Sequence, residues 1–421
     1  MEVVPEPRAD RPRLLLITPP ASYRTVPYLE AARRLGIEPL LASPGRHALV
    51  TQLTGGLQID LSHGAALRQL LAANRERPFA GVVATDDQTV ELASRVAAEL
   101  GLPHNPPGAA RLSRRKDLAR ARLAAAGVPV PEHRVVSLDR PLRPQLQGLA
   151  YPVVLKPVSL SGSRGVIRAD DRRMAEQAVA RIAAILQHEQ QLPAEERNRI
   201  LVERFVPGEE VALEGLLHRG RLQVLALFDK PDPLEGPFFE ETYYVTPSRH
   251  SLAVQGLIGQ RVAEACRAYG LQEGPVHAEL RLHRGDAWIM EVASRTIGGY
   301  CGRLLRFGAG QRLEELVIAR AVDRPLTLQP EPGAAGVLMI PVPGPGILRR
   351  VEGLLAARRV PGVEEVDIAV REGYRLVPLP EGASYLGFIF ARADTPAAAE
   401  AALRQAHGHL NFVTAPVLAI A

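Results

Sequence analysis

Two glutamates on adjacent predicted strands are the first candidates for chemistry. The segment 275–293 alternates apolar and polar residues on both sides of a short turn at 284–286. Side chains of a strand alternate between its two faces, so residues 278, 280, 282, 288, 290 and 292 are predicted to face one core. This register pairs residue 283 with residue 287. It also places Glu279 directly opposite Glu291, pointing away from the core.

Like charges in directly opposite positions destabilise a sheet unless a cation lies between them. Carboxylate oxygens suit Mg²⁺ or Mn²⁺, whose remaining ligands are water and substrate phosphates. Glu279 and Glu291 therefore form a candidate metal site. Two other interpretations stay open: both glutamates are solvated surface residues, or Arg281 bridges one of them.

Lysine is rare in this chain. Of the 51 basic side chains, three are lysines, Lys116, Lys156 and Lys230, and the other 48 are arginines. Arginine replaces lysine at most positions, but not where a compact ammonium must fit against a phosphate. The three lysines are therefore candidates for phosphate chemistry, unless they are a random remainder.

Lys156 ends an apolar run and is followed by a serine- and glycine-rich segment at 159–166. Glycines let backbone N–H groups approach phosphates, and hydroxyls add donors. The pattern predicts a phosphate cradle, although a plain hairpin turn has the same composition, and the order of a P-loop is absent. A third motif is the predicted strand at 200–206, which leads through Pro207-Gly208 to Glu210. Two interpretations of Glu210 stay open: it accepts hydrogen bonds from ribose hydroxyls, or it is a surface residue of a turn.

The elements that must position these residues fall into three regions. Up to about residue 110, strands at 13–18, 39–43 and 79–85 alternate with helices at 27–35, 65–73 and 89–100, which predicts a parallel sheet covered on both faces. Asp86 and Asp87 are predicted to cap the last of these helices. A basic helix at 113–126 precedes an α+β region with helices at 172–188 and 251–269, and the polar stretch 187–199 is predicted to be an exposed loop. A third region, from about residue 331, has strands at 336–341, 364–370 and 385–391 and a helix at 395–407.

Composition restricts the class of protein. The 421 residues are 46% hydrophobic and 23% charged, which is typical of a globular protein with several domains. The two cysteines, Cys266 and Cys301, are too few for a disulfide framework. Residues 1–13 are polar and no apolar run is long enough to span a membrane, so we expect no secretory signal, no membrane partner and a cytoplasmic location. The net charge of +5 comes from scattered arginines, so nucleic acid is not an expected partner.

The order of these motifs resembles the ATP-grasp family: a lysine at a helix start, a lysine before a glycine-rich loop, an E-x-x-x-x-G-x-E hinge, and two late carboxylates. Motifs carry the resemblance over residues 1–330, and order alone carries it beyond. It implies an ATP-grasp fold, α/β and α+β, with an N-terminal Rossmann-like domain at 1–112 and a small C-terminal α+β domain at 331–421. The ATP-grasp domain between them, 113–330, would have subdomains at about 113–205 and 206–330.

The resemblance also implies roles for individual residues. Glu279 and Glu291 correspond to the metal ligands, and Lys230 falls where D-alanine–D-alanine ligases have a third phosphate lysine. Ala293 replaces the asparagine of most members, and the resulting E-x-A-x-R sequence resembles L-amino-acid ligases, in which the arginine, here Arg295, faces the acyl-phosphate. His277 is a further catalytic candidate. The positions that correspond to nucleotide-binding residues are Lys116, Lys156, Ser161, Gly162, Ser163, Gly165, Glu203, Arg204, Phe205, Val206 and Glu210.

The activity that the resemblance implies is an ATP-dependent ligation. ATP, with Mg²⁺ or Mn²⁺, would phosphorylate a small carboxylate, and an amine would attack the acyl-phosphate to give an amide, ADP and phosphate. Glu240 or Glu241 is predicted to hold the substrate ammonium, and a homodimer is the expected assembly. Two alternatives stay open. One is a bicarbonate-phosphorylating carboxylase of the biotin carboxylase or carbamoyl-phosphate type, and the other is a nucleotide-binding module without catalysis, which the loss of asparagine at 293 favours.

Overall fold

The computed structural model describes residues 11–20, 22–44, 56–60, 64–308 and 310–417. The expectation of no secretory signal rests largely on residues 1–10, which lie outside this part of the chain. Within it, no helix is long and apolar enough to cross a membrane.

The N-terminal region is a parallel sheet covered by helices on both faces, as predicted. Its strands lie in the order β3-β2-β1-β4. Leu14 and Leu16 of β1 pack with the first helix, and Leu15 and Ile17 pack with the next two, so both faces of β1 are buried. The elements are β1 (Arg13–Ile17), α1 (Thr25–Arg34), β2 (Glu38–Ser43), β3 (Leu57–Gln58), α2 (Ala65–Glu76), β4 (Gly81–Ala84) and α3 (Val90–Glu99).

The prediction that Asp86 and Asp87 cap α3 is wrong. The residue before the helix is Thr89, and it makes no side-chain capping bond. Asp86 instead accepts hydrogen bonds from Arg24 Nη1 at 2.5 Å and Ser22 Oγ at 2.6 Å. Asp87 accepts one from Arg295 Nε at 2.9 Å. Both carboxylates are drawn to cations, which bind them more strongly than uncharged helix N–H groups.

The predicted basic helix at 113–126 corresponds to α5 (Lys116–Ala125), which begins three residues later than predicted and follows a separate helix, α4 (Pro107–Leu112). Arg115 between them is in an extended conformation, and its side chain is buried. Its guanidinium donates two hydrogen bonds to Asp117, at 2.8 and 2.9 Å. A buried charge requires such pairing, so the chain leaves the helical conformation here to point Arg115 inward.

A four-stranded antiparallel sheet follows, in the order β5-β8-β6-β7. The predicted exposed loop at 187–199 is wrong in part, because Glu189 and Glu196 are buried. They accept hydrogen bonds from Arg164 and Arg114. The elements of this region are β5 (His133–Ser137), α6 (Leu142–Gln145), β6 (Val153–Pro157), β7 (Ile167–Ala169), α7 (Arg172–Gln187), α8 (Ala194–Arg197) and β8 (Arg199–Arg204).

The largest sheet has eight strands in the order β13-β12-β9-β10-β11-β16-β20-β18. Its first five strands are β9 (Glu209–His218), β10 (Arg221–Lys230), β11 (Tyr243–Thr246), β12 (Gly274–His283) and β13 (Asp286–Ala293), with α9 (Leu252–Tyr269) packed on the apolar face. The last three, β16 (Ala334–Ile340), β18 (Val363–Ile368) and β20 (Gly387–Ala393), come from the C-terminal region and continue the same sheet. The predicted domain limits therefore stay predictions.

The remaining elements lie around this sheet. α12 packs against strands β16 and β20 through apolar residues such as Leu403. The three-stranded sheet β19-β17-β21 lies beside them, and β14 pairs with β15. Their bounds are a 3₁₀ turn (Cys301–Leu304), β14 (Arg306–Phe307), β15 (Gln311–Arg312), α10 (Leu313–Ala321), β17 (Gly346–Glu352), α11 (Leu354–Arg358), β19 (Arg375–Leu376), α12 (Pro396–Gly408) and β21 (Asn411–Ala415).

The hairpin of β12 and β13 pairs Glu279 with Glu291, as predicted. The predicted register also holds for Ala278 and Val292, but it is wrong between residue 280 and the turn, where residue 283 pairs with Asp286 rather than with 287 across a two-residue turn. A bulge between residues 279 and 280 restores the glutamate pairing. It also reverses the face of the residues before it, so Ala287 and Ile289 face the core while Trp288 and Met290, expected there, do not.

Candidate active site

A cavity of about 530 Å³ lies where the three regions of the chain meet. Its lining includes Tyr23 from the N-terminal region, Lys156 and Glu279 from the two middle sheets, and Phe388 from β20. We call it the central cavity. Most of the residues selected from the sequence lie on its wall, so the fold brings together groups that are up to 179 residues apart in the chain, Lys116 and Arg295.

The Glu279 and Glu291 carboxylates face the central cavity, with side chains 21% and 25% exposed. Lys116 Nζ lies 3.4 Å from Glu291 Oε2. Arg281 does not bridge the pair, because its Nε donates to Glu210 at 2.9 Å and its Nη1 to the Val206 carbonyl at 2.9 Å. The two glutamates are therefore neither fully solvated nor neutralised by Arg281, and their oxygens line the space where a cation would bind.

Lys156 and Glu203, which also line the cavity, form a buried ion pair. Lys156 Nζ lies 2.5 Å from Glu203 Oε2, and Arg120 also donates to this carboxylate. Burial alone would raise the pKa of Glu203, but the charges of Arg120 and Lys156 outweigh it and lower the pKa to about 2. Glu203 therefore acts here through its side chain, which orients Lys156.

The glycine-rich loop reaches the central cavity with only part of its length. Ser161, Gly162 and Ser163 line the cavity. Gly165 lies behind them, where its N–H donates to the Pro380 carbonyl at 2.9 Å. The Gly165 amide is thus already engaged, and the first half of the loop offers the donors nearest to a bound phosphate.

The hinge residues Arg204, Phe205 and Val206 and the carboxylate of Glu210 also line the cavity. The guanidinium of Arg281 lies 5.0 Å from the centre of the Phe205 ring, a cation–π contact. Its hydrogen bonds to Val206 and Glu210 join the hinge to β9, so one buried arginine holds the strand and the turn in place.

Lys230 is not on the cavity wall but directly beneath it. Its side chain is 3% exposed, and its Nζ lies 2.8 Å from Glu210, 2.5 Å from Glu241 and 3.3 Å from Glu279. Burial lowers the pKa of Lys230, but these three carboxylates outweigh it and raise the pKa above its ordinary value. In this arrangement the ammonium is fully engaged by carboxylates, which differs from the phosphate contact that the resemblance implies.

The two candidates for holding a substrate ammonium lie in different places. Glu241 lines the central cavity, where burial and the negative charge of Glu279 raise its pKa. Glu240 is not part of the cavity lining and accepts a hydrogen bond from the Val342 N–H at 3.2 Å, so Glu241 is the one of the two for which the prediction stays open.

Arg295 lines the central cavity and is held by the N-terminal region. Its Nε donates to Asp87 Oδ2 at 2.9 Å, and its Nη1 donates to the Thr296 carbonyl at 3.0 Å. Burial lowers the pKa of Arg295, but Asp87 and Glu291 outweigh it and raise the pKa. The guanidinium is therefore a fixed positive charge near the carboxylate pair.

His277 lies between two carboxylates, 3.5 Å from Glu214 and 3.5 Å from Glu279. Burial disfavours the imidazolium, but the two nearby carboxylates outweigh it and raise the pKa of His277 to about 8. Glu214 is completely buried and also accepts a hydrogen bond from the Ile297 N–H at 3.1 Å. His277 lines the central cavity beside Glu279, so its catalytic role stays a prediction.

Sequence reasoning missed the side chains that hold these groups. Arg120 lies four residues after Lys116, so both are on one face of α5, and that spacing was a usable signal. Asp87 was read as a helix cap, although it follows a buried strand of a parallel sheet, where ligand-binding residues often lie. The burial of Glu214 had no indication in the sequence, because nothing in the pattern of an apolar strand distinguishes a buried glutamate from an exposed one.

Comparisons with known proteins agree with this arrangement. The chain matches the family models "ATP-grasp N-terminal domain" over residues 29–104, "ATP-grasp domain" over 149–303 and "L-amino acid ligase C-terminal domain 2" over 338–415. The crystal structure of L-amino acid ligase from Bacillus licheniformis is similar, with a TM-score of 0.79 and 27% identity, over 96% of this chain and 99% of that one.

Two curated relatives match in sequence. Dapdiamide A synthase from Enterobacter agglomerans is 25% identical over 241 residues, which is 56% of this chain and 55% of that protein. D-alanine–D-alanine ligase from Gloeobacter violaceus is 29% identical over 245 residues, 54% of this chain and 74% of that protein. The three family models follow one another along the chain in the order of its three structural regions. This chain therefore contains an ATP-grasp domain, and the relatives and the solved structure that it resembles are named as ligases or synthases.

Proposed function

We propose that this enzyme activates a small carboxylate with ATP as an acyl-phosphate and joins it to an amine, releasing ADP and phosphate. One observation carries the proposal: Lys116, Lys156, the Glu279–Glu291 pair and Arg295 all border one cavity. Phosphoryl transfer depends mainly on positioning and on neutralising negative charge, and this set of residues is suited to both.

The nucleotide would lie along the wall formed by the hinge and the glycine-rich loop. Backbone groups of 204–206 and the Phe205 side chain would contact the base, and Glu210 would accept hydrogen bonds from the ribose hydroxyls. Lys116 and Lys156 would bind the phosphates, together with N–H and hydroxyl donors of 161–163. Glu203 keeps Lys156 in one orientation, since the two side chains form a buried ion pair.

The cavity fits a divalent cation at the carboxylate pair. Glu279 and Glu291 are directly opposite, partly buried and not bridged by an arginine, and paired hard oxygen donors suit Mg²⁺ or Mn²⁺. When bound, the ion supplies positive charge that balances the phosphates. Ala293 offers no side-chain ligand, so the two glutamates would be the protein ligands from this hairpin.

Arg295 would stabilise the negative charge of the acyl-phosphate. In the first step, a substrate carboxylate oxygen attacks the γ-phosphorus, the bond from that phosphorus to the bridging oxygen breaks, and ADP leaves. In the second step, a neutral amine attacks the acyl carbon and loses a proton, and inorganic phosphate leaves. Asp87 holds the Arg295 guanidinium in place throughout, so its charge needs no reorganisation at the moment of reaction.

Product analysis tests this proposal. ATP and Mg²⁺ would be incubated with the protein and with separate pools of amino acids, other carboxylates and bicarbonate. We expect ADP and phosphate only with an amino-acid pool, and a new amide by mass spectrometry. AMP and pyrophosphate would contradict the acyl-phosphate route, and turnover with bicarbonate alone would favour the carboxylase. ATP binding without turnover in any pool would favour a non-catalytic module.

A matched pair of variants links turnover to the site. Glu291→Gln removes one charge of the carboxylate pair and should lower ADP release by at least about 100-fold, as loss of one electrostatic contact to a transition state does. Glu176→Gln removes a glutamate whose side chain is 44% exposed on α7 and should change nothing. Equal activity of the two variants would contradict the proposed metal site.

The assembly and location are further parts of the proposal. We infer a homodimer from the family resemblance, and sedimentation equilibrium would test it. The limits 1–112, 113–330 and 331–421 are proposed on the same basis, and a cytoplasmic location is proposed from the composition of the sequence. Limited proteolysis near residues 112 and 330 would test the limits.

A further inference from the structure

We propose that the aromatic part of the central cavity is a binding pocket for an aromatic or large apolar side chain of an amino-acid substrate. This inference rests on the proposed function and specifies its substrate class. The pocket, here called the aromatic chamber, is lined by Tyr23, Tyr300, Met339, Tyr385 and Phe388.

The rings of the aromatic chamber contact one another in series. Tyr23 and Tyr300 have ring centres 4.5 Å apart, and Tyr300 meets Phe388 edge to face at 4.8 Å. The ring centre of Tyr385 lies 6.2 Å from that of Phe388. Aromatic pairs at these separations attract each other, so the wall is formed before a ligand arrives. Pre-formed apolar walls with a few polar groups are typical of small-molecule sites.

The backbone of the chamber has an unusual conformation at one of these aromatic residues, Tyr300. Tyr300 has φ 56° and ψ 12°, a left-handed conformation that is unfavourable for a residue with a side chain. The preceding Gly299 lies directly on Met339, because a Cβ there would be 2.1 Å from Met339 Sδ. Strained conformations of this kind persist where the surroundings demand them, and they cluster at ligand sites.

Charged groups adjoin the chamber where an amino acid would carry its own charges. The Arg24 guanidinium lies 4.8 Å from the centre of the Tyr23 ring, and Arg295 and Glu241 line the same cavity. An α-amino acid has its carboxylate and ammonium next to the carbon that bears the side chain. A substrate whose charged groups face Arg295, Arg24 or Glu241 therefore extends its side chain towards the rings.

The chemistry of the wall selects among amino acids. Aromatic rings and a thioether offer dispersion contacts and edge-to-face pairing to an aromatic or large aliphatic side chain. A charged side chain would lose its hydration against these rings, which is costly. A methyl side chain would leave most of the chamber unfilled. We therefore place phenylalanine, tyrosine, tryptophan and leucine ahead of alanine, serine and aspartate.

The experiment measures ADP release with each of these amino acids added singly to a fixed excess of the amine or acid partner found by product analysis. We expect kcat/KM for phenylalanine to exceed that for alanine at least about 10-fold. Phe388→Ala should lower kcat/KM for phenylalanine about 10- to 100-fold and that for alanine less than about 3-fold. Tyr374→Ala, an aromatic residue of the same region that is 52% exposed and outside the cavity, is the matched control.

Phe388 is largely buried, so misfolding is an alternative cause of lost activity in Phe388→Ala, and a second variant controls for it. Tyr300→Gly removes a ring of the chamber while allowing the left-handed backbone, and it should lower the phenylalanine preference in the same way. The shift of the melting temperature by ATP verifies that each variant binds nucleotide. Equal use of alanine and phenylalanine by the unmodified enzyme would overturn the chamber and leave the ligase intact. Absence of ADP release with every amino acid, while ATP still binds, would overturn the proposed function and the chamber with it.

Discussion

Lys156 Nζ and Glu203 Oε2 are 2.5 Å apart, which joins β6 to β8 beneath the wall where the nucleotide would lie. Glu203 also accepts a hydrogen bond from Arg120 of α5, so one carboxylate balances two buried cations. Motif order assigns Lys156 to phosphate and Glu203 to the hinge as separate residues. Their contact shows that the hinge carboxylate also orients the phosphate lysine.

Removing the Glu203 carboxylate should destabilise the protein. Glu203→Ala leaves Arg120 and Lys156 buried without their shared partner, which should lower the free energy of unfolding by about 3–5 kcal/mol. Urea unfolding measures this change. The control is Glu209→Ala, which removes a side chain 75% exposed and should alter stability by less than about 0.5 kcal/mol. Similar stability of the two variants would contradict the buried pairing.

The same carboxylate should make stability depend on pH in the acidic range. The pKa of Glu203 is about 2 in the folded protein and about 4.5 as the ordinary value. A lowered pKa stabilises the folded state at pH above 4.5, and this contribution is lost as the pH falls from 4.5 to 2. It amounts to about 3 kcal/mol. We expect the stability difference between the unmodified protein and Glu203→Gln, measured by urea unfolding, to shrink over this interval, and a constant difference would refute the assignment.

Asp87 should affect catalysis without contacting the substrate. Asp87→Asn weakens the hold on Arg295 and should lower kcat about 10-fold with little change in the KM for ATP, whereas Arg295→Lys should lower kcat about 100- to 1,000-fold. Steady-state ADP release measures both. Asp286→Asn is the matched control, because Asp286 pairs with Arg261 at the surface with similar distances. Loss of activity in the control as well would point to a general effect of removing Asp–Arg pairs.

Lys230 should be essential for stability. Lys230→Met leaves the carboxylates of Glu210, Glu241 and Glu279 in mutual repulsion, and we expect a loss of at least about 3 kcal/mol in chemical unfolding. The double variant Lys230→Met/Glu241→Gln removes one of these charges and should recover part of the loss. A double variant less stable than the single one would show that repulsion is not the cause.

Alanine substitutions at Gly165 and Gly148 distinguish a steric clash from backbone strain, because both glycines have the same φ of +73°. A Cβ at residue 165 would lie 2.7 Å from Pro157 Cγ, whereas nothing lies within 4 Å of one at residue 148. Gly148→Ala should cost about 1–2 kcal/mol of stability and leave ATP affinity unchanged. Gly165→Ala should cost more and should weaken ATP binding, because it displaces the loop that follows Lys156. Calorimetric titration with ATP compares them, and equal affinities would separate the loop from nucleotide binding.

The β12–β13 hairpin shows which structural details the pattern of the sequence predicts and which it does not. Alternation correctly paired Glu279 with Glu291, yet the turn has two residues instead of three and a bulge follows. The shorter turn and the bulge cancel each other at Glu279 and Glu291, which are therefore paired as predicted. They do not cancel at Trp288 and Met290, which lie on the opposite face from the one expected. A bulge adds a residue to one strand without a mark in the hydrophobic pattern, so local alternation does not reveal it.

Residue type and order by themselves determined the parallel N-terminal sheet, the positions of the lysines and glutamates that line the cavity, and the resemblance to ATP-grasp enzymes. Periodicity and motif spacing are local properties that are visible in the amino-acid sequence itself. Only the tertiary structure decided that Asp87 holds Arg295, that Glu203 holds Lys156, and that three carboxylates enclose Lys230. These are contacts between charged groups distant in sequence, and which buried partners meet depends on how the sheets pack rather than on any local pattern.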